Sequence, residues 1–228
     1  MIKFAIFDLD GTLLDSSKMW ETLGERYLVL LGKTPEEGLT EKLSEKTLLT
    51  GAQYLRERYD ISYSAEEIVR HLNRMIESYY TEDVRLKDGA HKLLAALRAH
   101  CVHMSVATAS DERLGLNALT RLGVGDFFAG AVSCTKYGPK TSPDVFLAAA
   151  DLIYAIPEET IVFENSLYAV QTARKAGFVT AAVADISESD QEGLKNAADF
   201  YAESMGEFSD IIKEILDTNG KMLSEKLK

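Results

Sequence analysis

Two carboxylates stand two residues apart near the start of the chain, in Asp8-Leu9-Asp10-Gly11-Thr12, directly after the run Lys3 to Phe7. A short apolar run bounded by Gly11 reads as a buried strand of a parallel sheet. As the chain leaves such a strand the two side chains can converge on one site, and Gly11 permits the dihedrals of a sharp turn. Asp8 can then attack phosphorus and form an acyl phosphate, dividing one difficult displacement into two easier ones. Asp10 can protonate the leaving alcohol and afterwards activate water. Asp and Gly are also common in solvated turns, so the pair alone does not decide the chemistry.

Three further segments bear on it. Thr108 follows the apolar run Val102 to Ala107 and precedes Ala109-Ser110-Asp111, so its hydroxyl and the amides of the turn are placed to hold a phosphate oxygen; a Thr there is also an ordinary N-cap. Lys140 lies in Lys140-Thr141-Ser142-Pro143-Asp144-Val145-Phe146, on the loop before a proline-initiated helix. A lysine there can neutralise a transferring phosphoryl group, although a loop lysine is more often plain surface. Glu164 and Asn165 follow Ile161-Val162-Phe163. With the Asp8 carboxylate and the Asp10 backbone carbonyl they offer oxygen donors that suit a hard cation such as Mg²⁺.

Three of these segments sit at the ends of predicted strands, and Lys140 sits on the loop before a helix. Apolar runs recur at Ala131 to Ser133 and Val179 to Val183. Helical patterns lie between the strands: Leu93, Leu94 and Leu97; Leu116, Leu119 and Leu122; Val145 to Ile153; Ala169 to Ala176. This alternation predicts an α/β domain with a mainly parallel sheet. From about Ser16 to Thr81 it breaks. Trp20, Leu23, Tyr27, Leu30 and Leu31 form one apolar stripe, and Ile68, Leu72, Met75, Ile76 and Tyr79 another. The reading is a helical insertion at the C-terminal end of the first strand, where open α/β sheets bind ligands, and hence a lid. The expected boundaries are 1–15 and 83–228 for the core and 16–82 for the insertion.

With 228 residues, 46% of them hydrophobic, the chain can build one good core plus a smaller insertion. A net charge of −11 disfavours nucleic acid and anionic membrane as partners. Cys101 and Cys134 read as two buried free thiols, and the N-terminus is too soon acidic for a signal peptide, so a cytoplasmic location is expected. His71, His91, His100 and His103 share no spacing and read as structural. Lys18, Lys46 and Arg56 in the insertion read as solvated charge, and Lys221 to Lys228 as a frayed tail.

In order, the Asp8–Thr12 stretch, Thr108, Lys140 in a K-x-x-P-D-x-F pattern, and Glu164-Asn165 before a helix ending Ala173-Arg174-Lys175-Ala176-Gly177 resemble the four motifs of the haloacid dehalogenase superfamily. The resemblance covers nearly the whole chain. It implies a Rossmann-like core, an inserted all-helical cap, one Mg²⁺ held by Asp8, Asp10, Glu164 and Asn165, and catalysis by Asp8, Asp10, Thr108 and Lys140. The implied activity is hydrolysis of the phosphate monoester of a small metabolite, with no protein partner readable. One position departs: members with this cap usually carry a second acid where this chain has Asn165. The resemblance leaves open a phosphomutase of the β-phosphoglucomutase type, whose members typically carry a histidine where this sequence has Trp20. A dehalogenase would need neither Asp10 nor a metal. A non-catalytic binder of phosphorylated ligands is the reading that Asn165 invites.

Overall fold

A computed structural model describes residues 1–44 and 46–217; the Lys221 to Lys228 tail lies outside them. The chain forms two compact units, Met1–Asp15 together with the chain from Val84 on, and Ser16–Asp83.

The first unit is built on six parallel strands. β1 (Phe4–Phe7) lies near the middle of the sheet, and the second unit follows it with helices α1 (Ser17–Leu30), α2 (Leu39–Ser44), α3 (Leu48–Arg58) and α4 (Ala65–Ser78). The first unit then resumes as α5 (Ala90–Ala99), β2 (His103–Thr108), α6 (Glu112–Arg121), β3 (Phe128–Ser133), α7 (Cys134–Tyr137) and α8 (Asp144–Asp151). It ends with β4 (Thr160–Glu164), α9 (Leu167–Lys175), β5 (Val179–Val183), α10 (Gln191–Ala197), β6 (Phe200–Ala202), α11 (Met205–Asp210) and α12 (Ile212–Asp217). The spatial order is β3-β2-β1-β4-β5-β6. Chain order therefore reverses across β1, and the ends of β1 and β4 flank the switch point where such sheets place their ligands.

The four inner strands are buried along almost their whole length, which is why they read as continuous apolar runs rather than alternating ones. Ile6, Val162, Phe146, Ala149 and Phe178 form one buried cluster, and Phe7 stacks on Phe163 with centroids 4.5 Å apart. Two strand boundaries were hard to read. β3 starts at Phe128, three residues early, because Ala129-Gly130-Ala131 carries little apolar signal. β6 is three residues long and pairs only with β5, too short for a periodic pattern.

In the helical unit, α4 buries Ile68, Leu72 and Ile76 as its stripe predicts, and Ser64 closes a reciprocal capping box with Glu67. The α1 stripe is corrected. Met19, Leu23, Gly24, Tyr27 and Leu28 are buried, whereas Trp20 is partly exposed and Leu30 is 72% exposed. A Cβ on Gly24 would lie 2.3 Å from Leu43 of α2. This close approach centres the buried face on Gly24 and leaves Leu30 outside.

The expectation of two buried thiols is also corrected. Both cysteines are free and Cys134 is half-buried, but Cys101 is exposed. It occupies a left-handed turn (φ +58°) just after α5. His71 is bonded to the Tyr27 hydroxyl at 3.0 Å inside the helical unit, a structural role. No helix among the described residues is long and apolar enough to cross a membrane.

Candidate active site

The sheet register brings Asp8 and Glu164 together at the C-terminal ends of two central strands. Phe7 pairs with Val106 on one side and Phe163 on the other, and the Asp8 amide continues the ladder by donating to the Phe163 carbonyl at 3.0 Å. Asp8 and Glu164 thus leave adjacent strands side by side. Beyond Asp8 the chain turns tightly: the Leu9 carbonyl accepts from the amides of Thr12, Leu13 and Leu14. Gly11 sits at φ +82°, in the left-handed region where a side chain would strain the backbone.

Lys140 is no surface lysine. Its ammonium is hydrogen-bonded to Asp8 Oδ1 and lies 2.6 Å from Glu164 Oε1. Side-chain exposures are 4%, 7% and 1% for Lys140, Asp8 and Glu164. The loop between α7 and α8 delivers it, with the ammonium 5.8 Å from the centre of the Phe146 ring. Burial opposes its charge, but the Asp8 and Glu164 carboxylates outweigh that and raise its pKa above the usual lysine range. Burial pushes the Asp8 carboxyl up to about 7; Lys140 opposes this, and the charges of Glu164 and Asp10 add to it. Two buried carboxylates thus face a single buried ammonium.

Asp10 is held by Ser110, whose hydroxyl donates to its Oδ2 at 2.5 Å. Thr108, at the end of β2, is fully buried and accepts from the Ser110 amide at 3.0 Å. The contact with Asp10 thus belongs to Ser110, while Thr108 shapes the turn that presents it. Asp111, not Thr108, caps α6, accepting from the amides of Arg113 and Leu114. A Cβ on Gly115 of that helix would lie 2.4 Å from Leu9, so the glycine lets α6 sit against the Asp8–Thr12 loop.

At the β4 end, Glu164 Oε2 accepts from the amides of Asn165 and Ser166 at 3.0 and 3.2 Å. With Oε1 on Lys140, both of its oxygens are engaged. Asn165 is buried; its Oδ1 accepts from Thr12 Oγ1 at 3.2 Å and its Nδ2 donates to Ser187 Oγ at 3.1 Å. Beyond Ser187 lies Asp185, which accepts from Lys87. Lys87 also donates to the carbonyls of Gly11 and Ala184, both at 2.9 Å. Sequence reasoning passed over Ser110, Lys87, Asp185 and Ser187. Only Ser110 had a signal, its place in the turn after Thr108.

Among the described residues no three His, Cys, Asp or Glu are grouped to hold a metal ion. A cation at this corner would draw on the Asp8 carboxylate together with amide and backbone oxygens. Those donors are all hard, so the residues fit Mg²⁺ better than a soft metal. Cys134 lies within the field of Asp8, Glu164 and Lys140, but burial pushes its thiol up and keeps it neutral, a poor nucleophile. Lys18, Lys46 and Arg56 are exposed on the helical unit.

A buried aspartate, lysine and glutamate from three separate motifs meet at the switch point, and residues 5–183 match the family model described as haloacid dehalogenase-like hydrolase. The chain belongs to that family. The phosphorylated carbohydrates phosphatase of Thermotoga maritima is 25% identical over 213 residues, covering 92% of this chain and 98% of that one. The β-phosphoglucomutase of Bacillus subtilis is 26% identical over 195 residues, covering 80% and 83%. A solved structure from Thermotoga maritima, assigned as a β-phosphoglucomutase, superposes with a TM-score of 0.83 at 24% identity, over 94% of this chain and all of that one. That likeness carries the fold. The haloacid dehalogenase-like family and these relatives support an enzyme of the phosphatase or phosphomutase type acting on phosphorylated small molecules.

Proposed function

We propose that the chain is a phosphatase that hydrolyses the phosphate monoester of a small metabolite through an aspartyl phosphate on Asp8. The observation that carries this is the Asp8–Lys140–Glu164 cluster: a buried carboxylate at a strand end, its charge partly balanced by one ammonium, beside a second carboxylate on Asp10.

In the first step an Asp8 oxygen attacks phosphorus, forming the Asp8–phosphorus bond as the bond to the substrate alkoxide breaks. Asp10 gives its proton to that alkoxide. In the second, water attacks phosphorus and gives a proton back to Asp10, and the bond to Asp8 breaks to release inorganic phosphate. Lys140 holds Asp8 in place and offsets charge as the phosphoryl group arrives. Ser110 fixes the Asp10 carboxyl, and the turn shaped by Thr108 offers amides to phosphate oxygens. Asp8, the Asp10 backbone carbonyl and Asn165 would hold Mg²⁺, with Glu164 behind them. When bound, that ion shields the substrate phosphate from the Asp8 carboxylate. The helical unit Ser16–Asp83 is assigned to substrate selection.

A sugar phosphomutase is the second reading, favoured by the β-phosphoglucomutase of Bacillus subtilis among the relatives. Against it stands Trp20, where that type typically has a histidine. The test is hydrolysis of p-nitrophenyl phosphate with and without Mg²⁺. Magnesium-dependent release of nitrophenol by the parent and none by Asp8→Asn supports the phosphatase reading; equal rates for the two overturn it.

A further inference from the structure

Asn165 is where the chain departs from its family's motif, and a neutral amide there raises a problem of orientation. A carboxylate presents an oxygen whichever way it turns, whereas a carboxamide offers an oxygen on one side only. The residues behind Asn165 settle which side. Ser187 Oγ lies 2.6 Å from Asp185 Oδ1, and the Ser187 amide reaches the same oxygen at 3.0 Å. A hydroxyl has one proton, and here the short contact to a carboxylate takes it. Towards Asn165, 3.1 Å away, Ser187 is left with lone pairs and can only accept. The Asn165 NH₂ must face Ser187, and its oxygen must face the other way, towards Thr12 at 3.2 Å.

Asp185 is kept ready for this by Lys87, whose ammonium lies 2.7 Å from Oδ2. Side-chain exposures are 16% for Lys87 and 5% for Asp185. The same ammonium binds the Gly11 carbonyl at 2.9 Å, tying the network to the loop that carries Asp8 and Asp10. Lys87, Asp185, Ser187, Asn165 and Thr12 thus form one continuous chain of hydrogen bonds running from the loop after β5 to the loop after β1.

We propose that Asp185 and Ser187 are positioning residues that lock the Asn165 carboxamide with its oxygen towards the Asp8–Thr12 loop, making an uncharged residue a dependable oxygen donor for a divalent cation. This rests on the magnesium-dependent reading above. Loss of such an orienting group typically lowers metal affinity about 10- to 100-fold.

The test is a double-mutant cycle read by metal binding in the absence of substrate. Mn²⁺ binding is followed by electron paramagnetic resonance, with Mg²⁺ as competitor, for the parent, Ser187→Ala, Asn165→Asp and the double variant. Ser187→Ala should weaken Mg²⁺ binding about tenfold where residue 165 is Asn, and less than about twofold in the Asn165→Asp background, because a carboxylate needs no orienting. The same factor in both backgrounds, or no loss in the first, overturns the relay and leaves the phosphatase reading standing. If the parent shows no saturable binding of either ion, the relay falls together with the metal, whereas hydrolysis through Asp8 is judged separately by nitrophenyl phosphate turnover.

Discussion

Replacing Lys140 with methionine removes one ammonium from between two buried carboxylates while keeping an apolar stem next to Phe146. At an effective dielectric of about 20, unit charges 2.6 Å apart, the Lys140–Glu164 separation, attract by about 6 kcal/mol before desolvation is subtracted. Breaking a buried pair by deleting one partner costs about 3–5 kcal/mol, because the charge left behind stays buried. Glu164 is left without its ammonium, and Asp8 escapes the same cost at neutral pH only by holding its proton, so a loss within that range is expected. For a chain of this size each kcal/mol lowers Tm by about 2–4 °C, giving a loss on the order of 10 °C.

The loss should depend on pH, and its sign follows from Asp8. Its folded pKa of about 7 lies above the ordinary 3.8, so the native state holds that proton more tightly than the unfolded chain. The resulting stabilisation is complete below about pH 4 and fades as pH rises through 7. Without Lys140 the carboxyl is pushed higher still, and the variant loses more stability over the same interval. Urea denaturation of parent and Lys140→Met at pH 5.5 and pH 8 reads this out, with the gap between midpoints wider at pH 8. A variant as stable as the parent at pH 8, or an equal gap at both pH values, would refute the idea that Lys140 neutralises buried charge.

Asp8→Asn should keep the fold, since Lys140 retains Glu164 as a partner, and should reduce turnover far more than tenfold; residual activity within about tenfold, some 1.4 kcal/mol of barrier, counts against covalent catalysis. Asn165→Asp should lower the Mg²⁺ concentration for half-maximal activity and Glu164→Gln should raise it, the latter by loosening Lys140 as well. No change with Asn165→Asp removes that side chain from the metal site. Given β-glucose 1-phosphate and a priming bisphosphate, the protein should release phosphate without forming glucose 6-phosphate. Appearance of the 6-phosphate would reverse the ranking of phosphatase and mutase.

The parallel core was legible because strands covered on both faces must be apolar throughout, and the four inner strands announce themselves that way. The edge strand β6 was not, since three residues carry no period. Asp8 and Glu164 could each be placed at a strand end from sequence alone, but neither the pairing of those strands nor the burial of Lys140 could, because a loop lysine looks the same in water or in a core. The α1 face was misjudged because Gly24, which lets α2 approach, has no hydrophobic signal of its own. Lys87, Asp185 and Ser187 escaped for a related reason. Lys87 reaches Asp185 across 98 residues and Ser187 reaches Asn165 across 22, and nothing in their local sequence marks those partners.

The most direct measurement traps the phosphoryl group where it is held. Protein turning over p-nitrophenyl phosphate in Mg²⁺ is quenched with acid, reduced with borohydride and digested, and the N-terminal peptide is analysed by mass spectrometry. An aspartyl phosphate is reduced to homoserine, so homoserine at position 8, absent without substrate and absent from Asp8→Asn, is the result expected. Turnover with an unmodified Asp8, or with the label on another residue, would contradict Asp8 as the nucleophile.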